Sequence, residues 1–502
     1  MNNILQLLLV LSTSMYGVLK AEPNFILIIT DDQDLLLDGM VPMTRTIELI
    51  ANNGKFFQNA YVNSPICCPS RSTILTGKYL ENTGVVNNSI SGNCSSQAWQ
   101  KNHESYTIAA LLKKAKSYTT YYAGKYLNQY GTKEAGGVEH IPYGYDWWIG
   151  LQGNSKYYNY TLSVNGTGHF FSDKYLTDAL AGYSLSFLTN KPNDKPFFMI
   201  VAPPAPHAPF TPAKRHENAF AGTKAVRTPS FNHSGYGKHW LLRMSPQYLP
   251  ENVDILDSIQ QHRLESVLAV DELVERIVYK LKDLNIFQET YIIYTSDNGF
   301  HIGQFSQPWD KRQPYETDIR VPFLVSGPNV PRKTIETFPI SSVDIAPTIL
   351  DLAGVDIPRS MDGESFKKQL FQETTDYFAK GILISYRGEA NQKLIDTSCP
   401  WAYDPNLTEC TVDQWCKCQD SRNNTYRCKV YHMDDLIFGK FASKHCLFDD
   451  AENFVEYYDL LKDPFELRNI PPDSFKYHQK LEVAAFQNAI LKDADTQENN
   501  EV

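Results

Sequence analysis

The chain has 502 residues, 42% of them hydrophobic, enough for a large core and for more than one domain. Its 57 acidic residues outweigh 47 basic ones, giving a net charge of -10. That balance, with no long basic run, excludes a general nucleic-acid-binding surface, but an anionic ligand can still be bound wherever basic groups converge in one pocket.

Taken in order, the chain begins with a short apolar run, Ile4 to Leu11, followed by small residues up to Ala21. This is the pattern of a secretory signal peptide, expected over residues 1–21. No later stretch is long and apolar enough to span a membrane, and the end, Asn499 to Val502, carries no retention or lipidation signal. Seven glycosylation sequons, at Asn87, Asn93, Asn159, Asn165, Asn232, Asn406 and Asn423, agree with the secretory route.

Asn24 to Thr30 is a near-continuous apolar run, predicted as a strand buried on both faces, as in parallel sheets. It ends in Asp31-Asp32-Gln33-Asp34, hard oxygen ligands suited to Ca²⁺ or Mg²⁺, at the strand end where α/β sheets bind ligands. A helix is predicted over Met43 to Asn52. Then comes Cys67-Cys68-Pro69-Ser70-Arg71, with Leu75-Thr76-Gly77 behind it. Pro69 suits the first turn of a helix running on through Thr76. The free N–H groups of that helix favour an anion by ~0.3–1 kcal/mol.

Thr107 to Lys116 is predicted as a helix and Tyr118 to Ala123 as a strand, ending in Gly124-Lys125-Tyr126-Leu127-Asn128. Trp147 and Trp148 are expected in the core, the more frequent fate of such residues, with stacking on a sugar ring as the alternative if they are exposed. Leu176 to Leu188 is amphipathic and helical. Pro196 to Ala202 is another buried strand, and beyond it His207 stands between prolines expected to hold the backbone extended. Val253 to Leu284 has helical spacing. Thr290 to Thr295 repeats the first pattern, a buried strand followed by Ser296-Asp297-Asn298-Gly299. Lys311 and Arg312 lie in a polar loop, Arg320 to Gly327 is a strand and Asp344 to Ala353 a helix.

At least four apolar strands thus end in residues able to bind an anion or a metal, which points to an α/β enzyme with a charged site at the strand ends. Composition changes around Ser360 to Asp376. We expect a main domain over 22–375 and a smaller C-terminal one over 376–502, containing a strand at Gly381 to Tyr386 and a polar tail. Six of the nine cysteines, Cys399, Cys410, Cys416, Cys418, Cys428 and Cys446, cluster there. In an oxidising compartment they imply a disulfide-bonded segment whose connectivity stays open; zinc is the runner-up. Cys68 and Cys94 are candidates for a further pair.

The Cys67-x-Pro69-Ser70-Arg71 stretch resembles the modification motif of the type I sulfatases. The resemblance extends to Asp31 to Asp34, Gly92 to Ser96, Gly124 to Asn128, Lys156 to Leu162, Pro204 to His207, Ser296 to Gly299, Gly303 to Ser306 and Asp310 to Gln313. It covers roughly residues 22 to 470 and is strongest toward a subgroup acting on 6-sulfated N-acetylglucosamine. It implies an alkaline-phosphatase-like fold, a large mixed, mostly parallel sheet flanked by helices with a smaller C-terminal α+β domain. It implies that a formylglycine-generating enzyme oxidises Cys67 to formylglycine, whose hydrated aldehyde attacks sulfur. It implies one Ca²⁺ held by Asp31, Asp32, Asp297, Asn298 and the modified Cys67. Arg71 would anchor the hydrate, Lys125 and Lys311 would bind sulfate oxygens, and His207 would protonate the leaving sugar oxygen.

The implied reaction is hydrolysis of 6-O-sulfate esters of N-acetylglucosamine residues in heparan or keratan sulfate, in lysosomes or outside the cell. Two departures from the broader family are Leu127, where many members have His, and Lys78 in place of Arg. The first leaves the base for sulfate expulsion unassigned, with Asn128 and His301 as candidates to line the site; the second is a mild change. An endo-acting heparan 6-O-sulfatase would carry a long basic insertion that this chain lacks. A catalytically silent glycan-binding protein would not need Cys67, Lys125, His207 and Lys311. A phosphatase or phosphodiesterase on the related fold would use Ser or Thr as nucleophile and more metal ligands.

Overall fold

A computed structural model describes residues 22–372, 378–435 and 439–474. The expected signal peptide, the expected 375/376 boundary and the polar tail lie outside these residues. Among them, no helix is long and apolar enough to cross a membrane.

The core is a ten-stranded sheet. Its order is Thr334–Glu336, Gly54–Phe57, Phe323–Ser326, Thr290–Ser296, Asn24–Thr30, Phe197–Ala202, Thr119–Gly124, Trp147–Leu151, Tyr160–Val164 and Thr167–Phe171. The five strands from Thr290–Ser296 to Trp147–Leu151 run parallel; Phe323–Ser326 and the Tyr160–Phe171 hairpin run antiparallel to their neighbours. Every residue of Asn24–Thr30 and Phe197–Ala202 is buried. The pleat sends Phe25, Leu27 and Ile29 to one face and Ile26 and Ile28 to the other. Full burial of each such side chain contributes ~1.5–3 kcal/mol.

Two helical layers cover these faces. One contains Cys67–Thr76, Ile108–Lys116 and Ile345–Leu352. The other contains Leu176–Asn190 and the thirty-residue Asp254–Asp283. Trp148 is fully buried, as expected, and lies among Tyr122, Tyr126, Tyr130 and Tyr145. From this aromatic cluster the Tyr122 hydroxyl donates to the Lys125 carbonyl at 2.6 Å, which fixes the turn after Thr119–Gly124.

The C-terminal region forms an antiparallel sheet in the order Phe378–Tyr386, Tyr426–Asp435, Gly439–Phe448, Val455–Asp459. Its apolar side shares a core with Tyr61, Val62, Ile66, Ile319 and Val321. The cysteines pair as Cys68–Cys94, Cys399–Cys416, Cys410–Cys418 and Cys428–Cys446. The six late cysteines are therefore all in disulfides, and the zinc alternative is excluded.

Candidate active site

Because the five central strands are parallel, their carboxyl ends open on one edge of the sheet, and the polar residues after each strand meet there. Asp31 and Asp32 follow one strand, Asp297 and Asn298 the neighbour on one side, and His207 lies in the loop after the neighbour on the other; Lys125 follows the next strand along. Opposite them, the buried helix Cys67–Thr76 directs its N-terminus into the same space. Asn88 Oδ1 accepts from the Cys68 N–H at 2.8 Å and satisfies one orphan donor of that helix. Cys67 is the free cysteine among the described residues, and it is buried.

One potential ligand atom from each of Asp31, Asp32, Cys67 and His207 lies within 4.8 Å of the others. Lys125 Nζ donates to both oxygens of Asp31, at 2.9 and 2.8 Å. Lys311 Nζ donates to Asp32 Oδ2 at 2.7 Å. Arg71 spans three elements: Nε to Asp297 Oδ2 at 2.8 Å, one terminal nitrogen to the Lys125 carbonyl at 2.9 Å, and the other 3.5 Å from Asp31 Oδ1. Asp297 Oδ1 accepts from the Asp32 and Asn298 N–H groups, and Asn298 Nδ2 donates to Asp32 Oδ1 at 2.7 Å. The nine residues given a catalytic or metal-holding role from the sequence, Asp31, Asp32, Cys67, Arg71, Lys125, His207, Asp297, Asn298 and Lys311, thus converge on one site, all of them buried except the half-buried His207.

Three carboxylates and three permanent cations are taken out of water together, and only this mutual pairing makes their burial tolerable. Burial would raise the Asp31 carboxyl, but Lys125, His207, Arg71 and Lys311 hold it well below the usual range. Asp297 is pushed up to about 7 by burial, which Arg71 only partly offsets. Burial pushes the Cys67 thiol up to about 12, so the encoded thiol is protonated at neutral pH. His207 is lowered to about 4 by burial and by Lys311. Its Nδ1 lies 2.6 Å from the Ala208 carbonyl, which can only accept, so Nδ1 carries the hydrogen and Nε2 faces Asp32 Oδ2 at 3.9 Å.

The donor set fits a hard divalent cation. Carboxylate and amide oxygens dominate it, and Asn298 Oδ1 is buried without a hydrogen-bond partner, as a ligand oxygen lacking its ion would be.

One expectation changes. The backbone at His207 turns instead of running extended: the His207 N–H donates to the Pro204 carbonyl and the Phe210 N–H to the His207 carbonyl. Asn128 is buried and donates to Asn154 at 3.3 Å. His301 is held by Asp318 at 2.9 Å. Leu127 is packed in the core. Sequence reading missed Ser155, a buried hydroxyl donating to Asp31 Oδ2 through a short hydrogen bond. A lone Ser in a polar loop carries no local signal, and only the fold brings it to the site.

A family model described as Sulfatase matches residues 23–355. The chain is 46% identical over 454 residues to human N-acetylglucosamine-6-sulfatase, covering 89% of this chain and 81% of the relative, and 45% identical to the goat protein of the same name, covering 89% and 80%. It is 40% identical to an extracellular sulfatase SULF-1 homolog of Drosophila melanogaster, over 69% of this chain but 31% of that protein. Among solved structures, one of a protein in complex with its substrate D-glucosamine-2-N,6-O-disulfate superposes with TM-score 0.69 at 22% identity, covering 95% of this chain and 97% of that one. A phosphonate monoester hydrolase from Silicibacter pomeroyi superposes with TM-score 0.62 at 18% identity, covering 94% of each chain. The architecture therefore hosts more than one ester-cleaving chemistry, and sequence identity decides between them. The chain belongs to the sulfatase family, enzymes that hydrolyse sulfuric esters.

Proposed function

We propose that the protein hydrolyses 6-O-sulfate esters of N-acetylglucosamine residues in glycosaminoglycans such as heparan and keratan sulfate. The observation that carries the reaction is the gathering of Asp31, Asp32, Cys67 and His207 within 4.8 Å, with Lys125 and Lys311 on the two carboxylates. The sugar rests on the 46% identity to human N-acetylglucosamine-6-sulfatase.

In this reading Asp31, Asp32, Asp297, Asn298 and residue 67 hold one Ca²⁺, and Cys67 is converted to formylglycine by a formylglycine-generating enzyme in the secretory pathway. Bound there, the ion supplies positive charge against the sulfate, and the hydrated aldehyde supplies a hydroxyl nucleophile. A sulfate ester repels nucleophiles because its oxygens are negative. Lys125 and Lys311, each already aimed at a carboxylate oxygen, re-aim at sulfate oxygens and offset that charge. Arg71 orients residue 67 while its fork keeps Asp297 and the Lys125 turn in place. The sulfate's own charge favours the protonated form of His207, whose Nε2 then gives its proton to the leaving sugar oxygen. Ser155 orients Asp31.

The protein acts in a lysosome or outside the cell. Residues 22–375 form the catalytic unit and residues 376–502 a smaller disulfide-rich one. Peptide mass analysis of protein from a secretory host tests the nucleophile: an entirely unmodified Cys67 peptide sinks the mechanism. Release of sulfate from N-acetylglucosamine-6-sulfate and from chain ends supports the exo-acting reading, whereas release confined to internal residues of polymeric heparan sulfate would make the enzyme an endo-sulfatase.

A further inference from the structure

The hairpin Tyr160–Val164 and Thr167–Phe171 ends the ten-stranded sheet, and Thr167–Phe171 pairs with no further strand on its outer side among the described residues. Such an edge presents unpaired N–H and C=O groups to any passing strand. Proteins commonly blunt it with Lys, Pro, a bulge or extreme shortness. None of these guards is present here. The sequence is Thr-Gly-His-Phe-Phe, its pairing with Tyr160–Val164 runs unbroken from Val164↔Thr167 to Tyr160↔Phe171, and Phe170 is 67% exposed. The opposite edge, Thr334–Glu336, is only three residues long.

Both ends of this hairpin carry a glycosylation sequon. Asn159-Tyr160-Thr161 lies at the open end, where the Asn159 N–H donates to the Ser172 carbonyl at 3.2 Å. Asn165-Gly166-Thr167 forms the turn, with φ of 48° at Asn165 and 83° at Gly166. Both asparagines are exposed, and neither Nδ2 donates a hydrogen bond among the described residues. Asn165 Oδ1 accepts from the Trp148 N–H at 2.8 Å, a bond that attachment at Nδ2 leaves intact. Asn93 contrasts with them. Its Nδ2 is committed to the Gly84 carbonyl at 2.9 Å, and its sequon Ser95 is buried.

We propose that Asn159 and Asn165 carry N-linked oligosaccharides whose role is to shield the free edge of the central sheet from pairing with a second copy of this chain. Each Asn Nδ2 forms a bond to the anomeric carbon of a glycosyl diphosphate donor. The diphosphate leaves with the bonding electron pair, and the nitrogen gives up one proton to solvent. The two attachment points lie about 20 Å apart along the hairpin, one beside each end of the edge strand, so hydrated glycans there deny another backbone access to the five edge residues Thr167–Phe171. The proposal rests on passage through the secretory pathway.

The test uses full-length protein from a secretory eukaryotic host. Enzymatic glycan release in heavy-oxygen water with peptide mass analysis reads all seven sequons. Asn159 and Asn165 are expected to be occupied and Asn93 bare. Glycans elsewhere with both hairpin sites bare overturn this proposal and leave the secretory reading standing; no glycan anywhere overturns both. Sedimentation velocity then compares the native protein, its enzymatically deglycosylated form, and a Thr161→Ala/Thr167→Ala variant that keeps both asparagines. Concentration-dependent self-association is expected in the last two, with monomer restored by adding Phe170→Lys. Monomer at every concentration in both glycan-free forms overturns the shielding role.

Discussion

Lys311 places its ammonium 2.7 Å from Asp32 Oδ2, with both side chains at least nine-tenths buried. Truncation to Ala leaves the Asp32 charge buried and unpaired, which costs about 3–5 kcal/mol. A bound divalent ion would replace the missing charge. Lys311→Ala is therefore expected to lower the thermal midpoint in chelator and to regain more of it on adding Ca²⁺ than the unaltered protein gains. Sulfate release is expected to fall about 10²–10³-fold. A Ca²⁺ shift no larger than that of the unaltered protein would separate Lys311 from the ion site.

Arg71 is irreplaceable by Lys if its fork matters. Its nitrogens reach Asp297, Asp31 and the Lys125 carbonyl at once, and an ammonium can hold only part of that set. Each charged hydrogen bond lost costs about 1.5–3 kcal/mol. Urea denaturation of Arg71→Lys is expected to show a midpoint loss of that order together with at least tenfold slower turnover. An unchanged midpoint would mean the fork is not holding the site.

Cys67→Ala separates chemistry from folding. Cys67 is buried and outside every disulfide. Removing one sulfur leaves only a small cavity, worth about 1 kcal/mol. Hydrolysis is expected to vanish while circular dichroism and the urea midpoint stay close to those of the native protein. Retained turnover would reject the nucleophile assignment.

Two buried carboxyls away from the site set a pH dependence. Burial pushes Asp420 up to about 7, where it accepts from the Tyr386 hydroxyl and the Glu389 N–H at 2.7 and 2.9 Å. Burial likewise raises Glu466 to about 7, although Lys444 opposes it. Both folded values exceed the unfolded ones of 3.8 and 4.5, so the folded state binds more protons between them. Their stabilising contribution is complete below the unfolded values and is lost as pH rises through 7. Thermal midpoints are expected to be higher at pH 5 than at pH 8, and Asp420→Asn should flatten the difference. Midpoints rising with pH would contradict the assignment.

The strand-end pattern was legible because burial on both faces imposes continuous apolar runs such as Asn24 to Thr30 and Phe197 to Ala202, and the polar residues after them stand out. Short or half-exposed strands were not legible. Gly54–Phe57 has four residues, Thr167–Phe171 is mostly exposed, and Tyr426–Asp435 alternates with half-buried polar side chains. The turn at His207 escaped because flanking prolines restrict φ without determining which carbonyls the chain folds back to meet.

The sequence by itself determined the kinds of group available: carboxylates, lysines, an arginine and a cysteine, each tied to a strand end or a helix start by local periodicity. Only the tertiary structure decided their neighbours. Strand order places Asp31 between the elements bearing Asp297 and His207, brings Ser155 in from the hairpin side of the sheet, and selects one of fifteen pairings for the six late cysteines. Local periodicity records which side of a segment is buried, whereas adjacency between distant segments is set by how all the buried faces pack together.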